Sequence, residues 1–302
     1  MEFGRVSESE LESIQFSLPK EPTFNQNILS GFPLADSKIY VGCTNWRRTE
    51  WIGSIYPLKT KEKDFLAQYV QQFNTIELNA TYYNIYPIST IEKWANQASG
   101  RDFIFCPKMY KEVTHGSSLL NKELLVHEFL NNIQAFKQHL GPIFIQLSEA
   151  FSPKRKEELF SFLQSLPTNF QFFVEVRHTD WFSIEAIKTE LFHFLKNKGI
   201  GIVITDTSNR RDCAHMHLTI PKTFIRFVGN CLHATDYTRI DEWILRIQYW
   251  LQQGMESVYF FIHMQDERYS PELTVYMIDK LNKTCGLQLA KPQFLPQQQH
   301  LF

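Results

Sequence analysis

Acids, bases and amides stand at the ends of otherwise apolar runs in this chain. Glu77 and Asn79 close TIELN, Lys108 closes FIFCPK, Gln146 lies in PIFIQL, and Glu175 and Arg177 close QFFVEVR. Asp206 closes IGIVITD, His263 closes SVYFFIH, and Arg226 sits in the middle of TFIRFVG. Two carboxylates set among three cations suit the movement of a proton on an anionic molecule. Lys108, Arg177 and Arg226 would clamp the anion while Glu77 or Glu175 gives or takes the proton. Glu77 is the favoured acid/base group, with Lys108 or Arg226 near enough to set its protonation state. Lys108 and Glu175 complete the catalytic candidates, and Asn79, Gln146, Arg177, Asp206, Arg226 and His263 are the substrate-binding ones. Glu175 and Arg177 lie two residues apart on one face, so Arg177 also reads as a simple neutraliser of Glu175. His263 reads as ligand, proton carrier or satisfied lining residue.

Other chemistries compete for the same residues. Glu77, Glu175, Asp206 and His263 as ligands of a divalent metal would make a phosphoesterase or nuclease. The cations interleaved among those carboxylates count against such a cage, so no cofactor is expected and a divalent metal is the runner-up. Glycoside hydrolysis would use Glu77 and Glu175 as its two carboxylates, their separation setting the stereochemistry. Aromatic residues crowd the loops that follow the first two runs, and Trp46 and Tyr83 are candidates to stack on a sugar or base, with packing under the loops the plain alternative. Cys213, His215 and His217 form C-x-H-x-H, a weak zinc signal without a second ligand cluster. A non-catalytic binder of nucleic acid or of a phosphorylated metabolite is the reading from a different class.

The elements that must position these residues are short runs rich in β-branched and aromatic residues, alternating with segments of helical period. Eight strands are expected, at 39–43, 75–79, 103–108, 142–147, 171–177, 200–206, 223–229 and 257–263. Helical patterns separate nearly all of them, as at 61–73, 153–165 and 240–252, and the sixth-to-seventh connection is the least helical. The span of about 245 residues suits a closed barrel, and no G-x-G-x-x-G supports an open nucleotide-binding sheet. The expectation is a single (β/α)8 TIM barrel over 39–284, with extensions over 1–38 and 285–302 that look like appendages.

Strand parity then sorts the faces, because the helix-facing set must be apolar. Phe172, Val174 and Val176 face out, which sends Phe173, Glu175 and Arg177 inward. By the same reasoning Ile76 and Leu78 face out and Glu77 and Asn79 in, with Lys108, Gln146, Arg226 and His263 also inward. Asp206 ends a strand that is apolar on both faces, so parity leaves its direction open. One buried ion would be a packing residue; so many at one barrel mouth point to a site, because burying charge is costly.

Composition bounds the rest. The chain has 302 residues, 43% of them hydrophobic, and a formal net charge of -1, so any anion site is local and bulk charge gives a nucleic-acid partner no support. Five widely spaced cysteines without a C-x-x-C pair fit a reducing compartment. The N-terminus is polar and acidic, and no apolar run approaches the roughly 20 residues of a membrane helix, so a cytoplasmic protein with no membrane partner is expected.

Several blocks in one order give the chain a specific resemblance. They are GCTNW and W-x-G-x-x-YP (Gly42 to Pro57), FNTIELNATYY (Phe73 to Tyr83), F-x-F-C-P-K (Phe103 to Lys108) and LGPIFIQL (Leu140 to Leu147), then VEVRHTDWF (Val174 to Phe182), Thr205–Asp206 and FIRFVGN (Phe224 to Asn230). From about Ile39 to about residue 283 the sequence resembles the YecE-like family, TIM-barrel proteins catalogued as domain of unknown function 72. The resemblance implies the barrel and points to Glu77, Asn79, Lys108, Glu175, Arg177 and Asp206, but brings no reaction. QLSEAF after the fourth strand and His263 at the end of the last depart from the family pattern. Residues and resemblance together suggest an enzyme, a hydrolase or lyase, acting by acid/base chemistry on a small phosphate-bearing or nucleotide-like anion.

Overall fold

The computed structural model of the protein describes residues 3–296; residues 1–2 and 297–302, the ends of the two extensions, lie outside the described residues. Eight strands form the sheet: β1 (Lys38–Cys43), β2 (Thr75–Leu78), β3 (Ile104–Pro107), β4 (Ile143–Gln146), β5 (Phe172–Glu175), β6 (Gly201–Asp206), β7 (Lys222–Val228) and β8 (Ser257–His263). All pairings are parallel, in the order β3-β2-β1-β8-β7-β6-β5-β4. The β3–β4 seam is joined by single bridges, Phe105 to Leu140 and Lys108 to Phe144, which bring the ring almost to closure. Seven main helices wrap it: α1 (Phe65–Gln72), α2 (Ile88–Gln97), α3 (Glu123–Ile133), α4 (Lys156–Ser165), α5 (Glu185–Lys198), α6 (Ala234–Gln252) and α7 (Ser270–Cys285). Their ends follow local chemistry. Glu157 and Glu158 favour the positive end of the α4 dipole, and α5 and α7 stop at Gly199 and Gly286 in left-handed conformation.

Parity divides the core as expected. Ile76, Leu78, Phe105, Ile143, Ile145, Phe172, Val174, Ile225, Phe227, Val258, Phe260 and Ile262 pack outward under the helices. Inside the barrel a separate cluster holds Tyr40, Cys106, Phe144, Phe173, Phe224, Tyr259 and Phe261. So much aromatic volume fits only where a wall is bare: a Cβ on Gly201 would stand 2.2 Å from Phe173 Cε1. This plug fills the lower barrel and leaves the C-terminal mouth to polar side chains.

One connection lacks its helix. Between β6 and β7 runs only the 3-10 turn Arg211–Cys213 and irregular chain. The N-terminal extension lies in that gap and is no appendage. Its 3-10 turn Thr23–Asn27 carries Phe24 onto Phe192 of α5, and Asn25 bonds both the carbonyl of Met216 and the amide of Leu218 in the β6–β7 segment. Glu21 accepts from Arg246 and Trp250 of α6. Leu18, Ile28 and Leu29 cover the apolar outer face between them.

Candidate functional site

The strand ends bring one continuous ionic layer to the mouth, directly above the aromatic plug. Arg226, from the middle of β7, donates from Nε to Glu77 Oε2 at 2.8 Å and from Nη2 to Glu77 Oε1 at 2.9 Å. Its Nη1 donates to Glu175 Oε2 at 2.8 Å, so one guanidinium bridges both carboxylates. Arg177 Nε and Thr205 Oγ1 donate to Glu175 Oε1 at 2.8 and 3.0 Å. Asn79 Nδ2 donates to Glu77 Oε1 at 2.9 Å, and His263 Nε2 lies 3.0 Å from Glu77 Oε2. All of this is deep: Glu77 is 0% exposed, Glu175 2% and Arg226 2%.

Electrostatics follow from that geometry. Burial alone would raise the carboxyl pKa of Glu77, but Arg226 and His263 outweigh it and hold it well below the ordinary range. Glu175 is likewise buried, and Arg177 with Arg226 pulls it down to about 2. Burial also pushes the His263 imidazole down. Its Nε2 faces the ionised Glu77 carboxylate, which accepts the hydrogen bond. Both carboxylates are therefore ionised, fully engaged and weak as bases.

Lys108 is different. Its Nζ lies 3.0 Å from the neutral Gln146 Oε1 and 4.3 Å from the centre of the Tyr82 ring, and among the described residues it forms no ion pair within 4.0 Å. Burial first, then the neighbouring Arg226, lowers its ammonium to about 8, and Glu77 and Glu175 offset this only in part.

The structure thus unites Glu77, Asn79, Lys108, Gln146, Glu175, Arg177, Arg226 and His263. Asp206 stands apart on the outer face of β6, bonded to Arg239 Nη2 at 2.9 Å, Trp243 Nε1 at 2.7 Å and Arg211. These partners, Arg239 and Arg211 foremost, hold its carboxyl at about 2, as an anchor between β6 and α6. Trp46 is buried edge-on against Trp94 at 5.2 Å, so it packs rather than lines the mouth. Tyr83 is 60% exposed beside Tyr82. With Asp206 turned away and the two glutamates wrapped by guanidinium, no three His, Cys, Asp or Glu among the described residues converge as metal ligands. His215 instead bonds the Val203 carbonyl and stacks on Phe182, and His217 stacks on Phe192.

Three contributors were not among the sequence candidates for the site. Tyr82 supplies the ring over Lys108, and Thr205 faces in because Asp206 faces out. Phe3, from the N-terminal extension, lies over the guanidinium of Arg177 at 4.1 Å and over that of Arg210 at 5.2 Å. Tyr82 sits in the aromatic run after β2, a signal present in the sequence; Phe3 carries no such mark.

Comparison with known proteins agrees with this architecture. The family described as "Protein of unknown function DUF72" matches residues 40–299. The UPF0759 protein YecE of Escherichia coli K12 is 28% identical over 282 residues, covering 87% of this chain and all of that protein. YunF of Bacillus subtilis is 37% identical over 76 residues, 25% of this chain and 26% of its own. Among solved structures, the DUF72 protein EF0366 of Enterococcus faecalis superposes with TM-score 0.63 at 15% identity, covering 85% of this chain and all of that one. TM1631 of Thermotoga maritima gives 0.59 at 23% identity, covering 83% and 100%. No helix among the described residues is long and apolar enough to cross a membrane.

Proposed function

Because this chain belongs to the DUF72 family, whose description names no activity, function must come from the site, and we propose that the barrel mouth binds a small anionic substrate on which Lys108 performs acid/base chemistry. The observation that carries this reading is the Lys108 ammonium, paired with an amide at 3.0 Å where a carboxylate would be expected. Its two carboxylate neighbours are already neutralised by arginine. A phosphate or carboxylate entering the mouth would supply the missing countercharge.

Lys108 also has the right proton affinity for the task. A group near 8 exists in both forms around neutral pH, which is what general acid/base transfer needs. Glu77 and Glu175, the sequence candidates for that role, serve in this reading as fixed charges that hold Arg226 and Arg177 in place. The guanidinium between them occupies the space a glycosidic bond would need, which counts against glycoside hydrolysis.

The test is a thermal-shift and calorimetric screen with inorganic phosphate, sugar phosphates, nucleotides and small carboxylates against the intact protein and Lys108→Met. Stabilisation of the intact protein that Lys108→Met loses is the expected result. Equal responses from both proteins would remove Lys108 from the site, and no response to any anion would end the proposal.

A further inference from the structure

The rim of the mouth carries rings that the acid/base reading does not use. Tyr82 and Tyr83 end the short helix Ala80–Tyr83, which follows β2, and His115 closes the turn Lys111–Thr114, which follows β3, the strand paired with β2. The rings therefore meet. Tyr83 and His115 each stand edge-to-face against Tyr82, with ring centres 5.0 and 5.2 Å from its own and planes at 87° and 85°. Tyr82 is the ring over the Lys108 ammonium, at 4.3 Å. Tyr83 is 60% exposed, and among the described residues its one ring contact is to Tyr82, so much of it stands in solvent. An exposed tyrosine is ordinary on its own. This one is a single ring away from a buried cation whose hydrogen-bond partner is a neutral amide.

We propose that Tyr83 is a stacking platform for the planar ring of a ligand whose anionic group reaches Lys108, and that the ligand class is a nucleoside monophosphate. The inference rests on the anion reading of the mouth and narrows it to one class. Lys108 and Tyr83 both abut the Tyr82 ring, so the two contacts are set apart by that ring, and a molecule that makes both needs a spacer between its own ring and its anion. The sugar between base and phosphate supplies one. Lys108 is 8% exposed beneath Tyr82, so the phosphate reaches it as that ring turns aside. The ammonium then exchanges a ring face for a charge-assisted hydrogen bond, the stronger of the two contacts. Trp46, the other ring expected to stack, is buried against Trp94, which leaves the task to Tyr83.

Calorimetric titration with adenosine monophosphate, ribose phosphate and adenosine separates the two contacts, in the intact protein and in Tyr83→Ala, Tyr83→Phe and Lys108→Met. The intact protein and Tyr83→Phe should bind adenosine monophosphate roughly tenfold more tightly than ribose phosphate, the share that one stacked base contributes. Tyr83→Ala should bind the two alike, with its affinity for ribose phosphate unchanged. Lys108→Met should bind adenosine monophosphate no better than adenosine. Equal affinities for adenosine monophosphate and ribose phosphate in the intact protein, or an advantage that survives Tyr83→Ala, would overturn the platform and leave the anion reading standing. Adenosine bound by the intact protein as tightly as its monophosphate would keep the stacking and overturn the phosphate contact. Binding of none of the three would overturn the nucleotide class, and inorganic phosphate, titrated alongside, decides the anion reading separately.

Discussion

Arg226 and Glu77 meet fork to fork across the barrel, Nε on Oε2 at 2.8 Å and Nη2 on Oε1 at 2.9 Å, with both side chains out of reach of water. Such a pair gains little over a well-packed apolar substitute, but removing one partner strands a buried charge at a cost of about 3–5 kcal/mol. Here one cation serves two anions: Arg226→Met strands Glu77, while Glu175 keeps Arg177. Urea unfolding at pH 7 should show a loss at the upper end of that range or the absence of a folded state. Adding Glu77→Gln to Arg226→Met should recover part of it, because the stranded charge goes too. A double variant no more stable than Arg226→Met would show that shape, not charge, sets the cost.

The pH dependence of that variant follows from sign. In the intact protein both carboxyls are held below their unfolded values, Glu175 at about 2. Their contribution is complete above the unfolded value near 4.5 and is lost as pH falls toward 2. Without Arg226, burial dominates at Glu77 and raises its folded value above the unfolded one, while Arg177 still holds Glu175 down, so the folded state binds the more protons at Glu77. Arg226→Met should therefore gain stability between pH 7 and 5 relative to the intact protein. Parallel profiles over that window would contradict the assignment of Arg226 as the group holding Glu77 ionised.

Lys108 predicts the opposite slope. Its folded pKa of about 8 lies below the ordinary lysine value of 10.5, so between those limits the unfolded chain binds the more protons and stability rises with pH. Below pH 8 the ammonium is retained in both states and its burial is a constant penalty, on the order of 3 kcal/mol at most. Lys108→Met removes the penalty and keeps the length of the stem. It should be the more stable protein at pH 7, with its advantage shrinking from pH 8 to 10 as Lys108 in the intact chain gives up its proton. An advantage that stays flat across that range would mean Lys108 is not titrating there.

How much of this was legible beforehand depended on pattern. Phe172, Val174 and Val176 alternate cleanly, so Glu175 and Arg177 could be turned inward from sequence, and Ile225 and Phe227 placed Arg226 the same way. β6 reads GIVITD, apolar on both faces, and so gave Asp206 no direction. Only the fold brings Trp243 and Arg239 from α6 to its carboxylate. Parity also says which residues share a face and nothing of which pair with which. That Arg226 saturates both glutamates and leaves Lys108 to Gln146 is a matter of distances across the barrel, and it is why the proposed function gives the proton to Lys108 and not to Glu77. The N-terminal segment was opaque for another reason: a short polar stretch without period carries no signal that a barrel wall some 200 residues on is missing its helix.

That missing helix gives the last prediction, centred on Asn25. Its amide is 2% exposed and every end of it is used: Nδ2 donates to Met216 O at 2.9 Å and Glu21 Oε1 at 2.7 Å, and Oδ1 accepts from Leu218 N at 2.8 Å. The β6–β7 segment has no helix of its own to satisfy those backbone groups, so Asn25 stands in for a crossover element. Asn25→Ala leaves a buried carbonyl and a buried amide without partners, each worth roughly 1–3 kcal/mol, for a total of about 2–6 kcal/mol. If the extension is part of the wall, the loss appears in the single cooperative unfolding of the barrel, with the transition shifted and not split. Were it an appendage, the substitution would change barrel stability by no more than about 0.5 kcal/mol, or would melt separately and early in amide hydrogen exchange. Exchange at Leu218 separates these outcomes directly, because its amide is donated to Asn25: in the variant it should lose protection while amides of β7 such as Ile225 keep the protection of global unfolding.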